Sequence, residues 1–249
     1  MKITVITVNY NADKTLGRTL ESVAKQIYPN VEHILIDGGS TDNSMTIAKT
    51  FGAHLSKSLS ESDKGIYDAM NKGLALATGD VVAFLNADDF YASNDILSHV
   101  AQLMVSNELD ILTGNVAFFR SGSENKTLRI YNSGRFEIKK LALGLMPAHP
   151  ALFIRRDILV KAGGFKADYK IAGDFELIAR ILTRQNIKME HLSRILVMMQ
   201  LGGISTSGWR AKLLMNREIL RACSENRIST NLLKIWFRYP AKLLELKWF

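Results

Sequence analysis

One cysteine, Cys223, stands in 249 residues. It can close no disulfide within the chain, so a disulfide-stapled scaffold is excluded and a reducing compartment is expected. The five histidines are scattered, and no Cys/His group has the spacing of a zinc site. No run approaches the ~18 uninterrupted apolar residues that a spanning helix needs. The apolar stretch near the start, within Lys2–Val8, is too short for the core of a secretory signal, so no leader and a cytoplasmic location are expected. Neither G-x-G-x-x-G nor the Gly-Lys-Ser/Thr of a P-loop occurs, which argues against the standard dinucleotide and P-loop sites. There is no internal repeat and no low-complexity segment.

What remains is a globular composition, 47% hydrophobic and 22% charged. The length suits one large α/β domain, or one domain with a small appendage. Strand-like and helix-like segments alternate. Lys2–Val8, Val31–Ile36, Val81–Leu85 and Ile111–Phe119 read as strands, with a short one near His54–Lys57. Thr15–Gln26, Asp42–Phe51, Ile66–Ala77 and Ser93–Ser106 read as helices. That order implies βαβ units and a doubly wound, mostly parallel sheet with flanking helices. Arg120–Gly134 is polar and rich in Ser, Asn and Gly, a loop or hairpin. Beyond it, Ala151–Arg155 and Lys188–Met199 read as strands, and Gly173–Leu182, Trp209–Asn226 and Ser229–Glu245 as helices. Residues 1–205 are expected to form the catalytic domain and residues 206–249 a basic helical extension.

The polar chemistry follows the strands. Asn86-Ala87-Asp88-Asp89 comes directly after Val81–Leu85. In open α/β sheets ligands bind beyond the carboxyl ends of strands. Hard cations such as Mg²⁺ or Mn²⁺ take oxygen ligands and are commonly held by one or two carboxylates together with substrate phosphates. The pair therefore points to a metal-bridged diphosphate; a helix cap in a solvated turn is the alternative. Asn9-Tyr10-Asn11 follows the first strand and Asp37-Gly38-Gly39-Ser40-Thr41-Asp42 the second. The glycines permit close backbone approach to a ligand, and Asp37 could accept from a base N–H or a ribose hydroxyl. A tight turn with Asp42 capping the next helix reads equally well. In the segment Asp63–Gly73, Asp68, Asn71 and Lys72 lie three and four apart, as on one helical face, suited to diphosphate or sugar hydroxyls or simply to solvent.

Taken together and in this order, Asn9-Tyr10-Asn11, Ile36–Asp42, Asp63–Gly73 and Phe84–Asp89 resemble the family 2 inverting glycosyltransferases, whose nucleotide-sugar domain has the A-type glycosyltransferase fold. The likeness covers residues 1–90 closely and continues more loosely to Gly203. It implies that Asn9 and Tyr10 line the base and ribose, and that Asp37 contacts the base. It implies a donor loop at Asp63 and Lys64, further donor contacts from Asp68, Asn71, Lys72, Asn86 and Ala87, and a metal on Asp88. Asp89 is a second implied ligand. The family's Asp-x-Asp signature begins here with Asn86, which offers no charge.

The same resemblance implies a general base at Asp174, in Ile171-Ala172-Gly173-Asp174-Phe175-Glu176, where Gly173 replaces the family's first acid. Inverting transfer needs one carboxylate to take the proton of the acceptor hydroxyl. From the residues alone, Asp174 could equally cap its helix, and Glu176 is a secondary candidate. Met146-Pro147-Ala148-His149-Pro150 is similar to a His-containing segment of polysaccharide-building members. His149 could there ligate the metal, orient the acceptor, contact the diphosphate or be structural. Gly163-Gly164-Phe165 looks like the turn before the base, and Gly202–Ser205 like a lid. The Gln-x-x-Arg-Trp motif of processive members is absent, so one sugar per acceptor is expected.

The net charge is +8, and residues 209–249 hold nine Lys/Arg against three Glu. Leu232, Leu233, Trp236, Phe237, Leu243, Leu244, Trp248 and Phe249 are interleaved with Lys234, Arg238, Lys242 and Lys247, with Pro240 as a kink. Large apolar residues among basic ones suit an interfacial helix on an anionic membrane; packing on the domain or on a twin subunit is the rival. Bulky aliphatics outnumber stacking platforms, so nucleic acid is not expected. The expected activity is single-sugar transfer from a nucleotide-sugar, UDP-linked by preference, with Mn²⁺ or Mg²⁺, to a lipid-linked or oligosaccharide acceptor. A sugar nucleotidyltransferase and a non-catalytic subunit are the other classes kept open.

Overall fold

The structure is a computed structural model that describes residues 1–124, 126–184, 186–202 and 208–238. Strand β1, Ile3–Asn9, is β-branched at its first six positions and buried along its whole length, as a central strand covered on both faces should be. It pairs in parallel with β2, Val31–Asp37, and with β4, Val81–Phe84. β3, Lys57–Ser60, adds a parallel edge on β2. Helices α1 (Leu16–Ala24), α2 (Ser44–Thr50) and α3 (Ile66–Leu76) make the crossovers.

Beyond β4 the sheet becomes mixed. β5 (Phe90–Tyr91), α4 (Ile96–Ser106), β6 (Ile111–Phe119) and β7 (Arg129–Tyr131) come next in the chain, then β8 (Leu152–Arg155), α5 (Arg156–Ala162), α6 (Gly173–Arg184) and β9 (Met189–Gln200). Spatially the order is β3-β2-β1-β4-β8-β6-β9-β5, with β7 on β6. β8 runs antiparallel to both β4 and β6, whereas β6 and β9 are parallel. The expected loop or hairpin at 120–134 is a hairpin, β6 pairing antiparallel with β7. The chain closes with α7 (Gly208–Glu225) and α8 (Leu232–Trp236). Of the helix expected over Ser229–Glu245, α8 is the part described; residues 203–207 and 239–249, with Gly203–Ser205 and Leu243–Phe249 among them, lie outside the described residues.

Alternate residues of β1 feed opposite faces. Ile3 and Val5 pack with Ile96, Leu97, Val100 and Met104 of α4. Ile6 and Val8 pack with Met70 and Leu74 of α3, in a core that extends to Phe175 and Ile178 of α6, Ile219 and Ala222 of α7 and Ile235 of α8. Burying each such side chain contributes roughly 1.5–3 kcal/mol. The parallel register sets Asn9 beside Asp37. Backbone bonds from Leu85 to Ile6 and from Ala87 to Val8 carry the β4 ladder to the same rim. The loops after β1, β2 and β4 therefore open on one edge of the sheet.

Candidate active site

At that rim the loops after β1 and β2 meet first. Tyr10 is 66% exposed, a free aromatic face beside Gly38. A Cβ at Gly38 would stand 2.4 Å from Asp63 Oδ2 and 3.4 Å from the Tyr10 ring, so only glycine lets these two groups close over the turn. Asp63 Oδ1 accepts from the Gly65 N–H at 2.8 Å. Asp37, expected to contact the base, does something else. It is fully buried and accepts five hydrogen bonds, from Asn9 Nδ2, the Gly39 and Ser40 N–H groups and the Ser40 and Ser60 hydroxyls. Burial alone would raise its pKa, but these donors outweigh it and hold the carboxyl below its usual value. Asp37 is the anchor of the turn, and Asp63 is the acid left beside Tyr10. Asn9 is tied to Asp37 and Ser40, with its Oδ1 buried and unpartnered.

The expected common face of Asp68, Asn71 and Lys72 splits. Successive residues on a helix lie 100° apart, so Asn71 and Lys72 diverge. Asn71 is corrected to a structural role: its amide donates to Phe165 O and accepts from Phe165 N, both at 2.8 Å. Lys72 reaches Glu61 at 2.8 Å and Ser62 O at 2.9 Å, and Asp68 accepts from Lys64 N at 3.0 Å. These two shape the Ser60–Gly65 loop that presents Asp63.

Asn86–Asp89 forms a turn closed by Asp89 N on Asn86 O at 3.0 Å, with Ala87 buried beneath it. Arg18 of α1 holds the turn from outside. Its guanidinium lies 4.7 Å from the Phe90 ring centroid and 4.8 Å from that of Phe119, and donates to Asp88 O at 3.2 Å, Gln200 and Glu124. Thr19 Oγ1 donates to Asp89 O at 2.7 Å. Asn86 Oδ1 and both Asp89 carboxylate oxygens are buried short of hydrogen-bond partners, the Gln200 backbone N–H being the one donor that reaches toward Asp89. Burial raises the pKa of Asp88 and, with Asp88 as a like-charged neighbour, raises that of Asp89 much further. Buried oxygens short of partners beside a second carboxylate are the donor set a hard divalent cation takes; the residues present fit Mn²⁺ or Mg²⁺. Among the described residues no group of three or more His, Cys, Asp or Glu could hold a metal, and His149 is not brought together with the pair in this structure.

His149 lies instead near Asp174. It stacks on Phe84, ring centroids 5.9 Å apart, and meets Phe165 at 6.1 Å. Burial lowers its pKa while the nearby Asp174 carboxylate pulls it up. Asp174 opens α6 with Oδ1 accepting from Phe175 N at 2.8 Å and lying 3.5 Å from Tyr67 Oη. Tyr67 itself donates to Ile171 O at 2.7 Å. Burial raises the Asp174 pKa, against the opposing pull of His149 and these hydrogen bonds. Gly173 has a steric cause: a Cβ there would stand 2.7–2.8 Å from the Tyr67 ring. Glu176, the secondary candidate, is fully buried and paired with Arg180 at 2.8 Å and Lys166 at 2.9 Å, so it is structural.

The family model described as glycosyl transferase family 2 matches residues 4–161. The chain belongs to glycosyl transferase family 2. It is 29% identical over 208 residues to a PGL/p-HBAD biosynthesis glycosyltransferase of Mycobacterium bovis, covering 82% of this chain and 78% of that one. In structure it is similar to residues 1–349 of S. aureus TarS in complex with UDP-GlcNAc, with a TM-score of 0.68 at 22% identity over 88% of this chain and 67% of that one. It spans only 40% of the longer TarS chain. It is also similar to the mannosyltransferase PcManGT of Pyrobaculum calidifontis in complex with GDP-Man and Mn²⁺, with a TM-score of 0.67 at 19% identity over 92% of this chain and 65% of that one. These likenesses place this glycosyltransferase in the A-type fold. The family match ends before Asp174.

Arg18, Tyr67, Phe84 and Phe165 were not singled out as site residues by the sequence. Tyr67 and Phe84 lie inside the motifs that signalled the family, but Arg18 carries no local signal. Its partners are 70, 106 and 182 residues away.

Proposed function

We propose that this glycosyltransferase is inverting and transfers one sugar from a nucleotide-sugar, in the first instance a UDP-sugar, to a hydroxyl of a lipid-linked or oligosaccharide acceptor of a surface glycolipid or polysaccharide. The observation that carries the reading is the chain of contacts from the Asp88–Asp89 turn to Asp174. Phe84, which leads into that turn, stacks on His149, and His149 is close enough to Asp174 for each to shift the other's pKa. On this reading diphosphate and base would lie close to one another. Tyr10, Gly38 and Asp63 would receive the base and ribose. Asp88 and Asp89, with Asn86, would hold Mn²⁺ or Mg²⁺, which when bound would neutralise charge on the departing diphosphate. Asp174 would take the proton as the acceptor oxygen bonds the anomeric carbon and the bond from that carbon to the diphosphate breaks on the opposite face. The donor and metal carried by the TarS and PcManGT complexes support the donor class.

Membrane contact is part of the proposal. Leu232, Leu233, Trp236 and Phe237 of the α8 region and Trp209, Leu213 and Leu214 of α7 are exposed among Arg210, Lys212 and Lys234. Among the described residues no helix is long and apolar enough to cross a membrane; the reading is peripheral attachment to the inner face, where a lipid-linked acceptor would be met. The deciding experiment is a thermal-shift screen of UDP-, GDP- and dTDP-sugars with and without Mn²⁺ or Mg²⁺. A ligand that binds only the folded state raises the midpoint in proportion to RT ln(1 + [L]/Kd). A shift with one nucleotide that grows with metal is the expected result; no shift with any of them from folded protein would overturn the donor site.

A further inference from the structure

We infer that Glu218 of α7 is a positioning residue for Asp174, so that α7 completes the catalytic centre. The inference rests on the reading of Asp174 as the base. Glu218 is only 7% exposed and sits 44 residues further along the chain. Its Oε1 accepts from Lys170 N at 2.7 Å, and its Oε2 accepts from Ile171 N at 2.9 Å and Ala172 N at 2.8 Å. One carboxylate therefore holds three successive peptide N–H groups on the approach to Gly173 and Asp174. Charge-assisted bonds of this kind are about twice as strong as neutral ones, and three in a row fix the orientation of consecutive peptide planes.

The consequence reaches the reacting atoms through one further contact. The Ile171 carbonyl, next to the peptides that Glu218 holds, accepts from Tyr67 Oη at 2.7 Å, and the same Oη lies 3.5 Å from Asp174 Oδ1. Glu218 thus sets the carbonyl that orients Tyr67, and it sets the entry of the helix that carries Asp174. The rest of α7 grips the same segment. Glu225 takes Lys166 at 2.7 Å and Tyr169 Oη at 3.0 Å, while Arg221 pairs with Asp168 and lies 4.5 Å from the Tyr169 ring centroid. A buried carboxylate is costly to desolvate. If the only need were to attach α7, apolar side chains such as its Ile219 and Ala222 would serve.

The test uses the full chain with Glu218→Gln, which keeps the shape but turns an NH₂ toward the backbone donors. Hydrogen exchange of the Lys170–Ala172 amides is expected to quicken by ~10-fold or more once their acceptor is weakened. Turnover is read as UDP released from the UDP-sugar that gives the largest thermal shift, with water as acceptor, and is normalised to sites counted by UDP binding. Sites lost to misfolding then drop out. Turnover per site is expected to fall about 10- to 100-fold with the number of UDP sites intact, and E218Q is expected to add less than about twofold in an Asp174→Asn background, as coupled residues do. Unchanged amide protection, or turnover per site within about twofold of wild type while D174N is inactive, would overturn the role of Glu218 alone. Wild-type turnover in D174N would remove the base, and with it the positioning role. Should E218Q not fold, Glu218→Asp, which keeps the charge and withdraws it by one methylene, is expected to give the same pattern in milder form.

Discussion

Asp37 at the end of β2 and Asp174 at the start of α6 are driven in opposite directions. Asp37 meets five donors and is held ionised; Asp174 is half-buried with few, and its carboxyl is pushed above the ordinary value. A base must be deprotonated, so activity is expected to fall on the acid side through a pKa above that of a free aspartate, an assignment that a pH profile of kcat checks. Asp174→Asn should cost about 10²–10⁴-fold in kcat and leave the donor-induced thermal shift in place. The stability sign follows from linkage. A carboxyl whose folded pKa is raised above its unfolded one costs stability once pH exceeds the unfolded value, because the fold disfavours its charged form. D174N should therefore melt higher than wild type at neutral pH and lose that advantage in acid. Asp63 makes the complementary case. Asp63→Asn keeps the Oδ1 bond to Gly65 but removes the charge beside Tyr10. It should weaken nucleotide binding by about 1–3 kcal/mol with the melting temperature of the ligand-free protein unchanged. Equal UDP affinity by calorimetry would return the base contact to another group.

Gly173 shows how an element boundary is decided by its neighbour. Helix α6 starts where the Tyr67 ring of α3 lies across it, and a methyl there would meet ring carbons at 2.7–2.8 Å. Gly173→Ala should cost roughly 1–3 kcal/mol through overpacking, and it should displace the Tyr67 hydroxyl from Ile171 O and Asp174. Chemical denaturation and kcat should therefore fail together; a variant with wild-type values of both would remove the steric explanation. The parallel half of the sheet could be read in the sequence because β1, β2 and β4 are short runs rich in β-branched and apolar residues that lead into polar loops, although β2 also buries Glu32 and His33. The antiparallel insertion of β8 between β4 and β6 and the two-residue β5 could not, since both depend on pairings across long stretches of chain. The same divide runs through the site. Tyr10, Asp63, Asp88 and Asp174 carry local motifs. The saturation of Asp37 needed Ser60 of another strand, and the capture of Asn71 needed the backbone of Phe165, 94 residues on. Residue type and spacing mark the loops that hold polar chemistry, but hydrogen-bond partners distant in sequence decide which polar groups are already satisfied.

Across the whole molecule, the polar loops gather at the carboxyl ends of the parallel strands, while α7 and α8 pack on the core that includes Phe175 and Ile178 of α6. Ile219, Ala222 and Ile235 are buried in that core, yet Leu233 and Phe237 are 76% and 70% exposed. Large adjacent apolar side chains left in water, with Lys234 between them, are unusual on a soluble surface and mark a contact site. Each apolar side chain moved into a lipid interface is worth roughly 1.5–3 kcal/mol, and each basic residue near an anionic surface about 1 kcal/mol. The pair Leu233→Glu and Phe237→Glu should accordingly lower binding to phosphatidylglycerol-containing vesicles by about 100-fold or more, measured by co-sedimentation. Because both side chains face solvent, the melting temperature and UDP affinity should not move. High salt should weaken wild-type binding by screening the basic residues while the apolar contribution persists. If the wild type instead forms a dimer in the absence of lipid, and the substitutions dissolve it without changing vesicle binding, the face is a subunit contact and the membrane assignment falls.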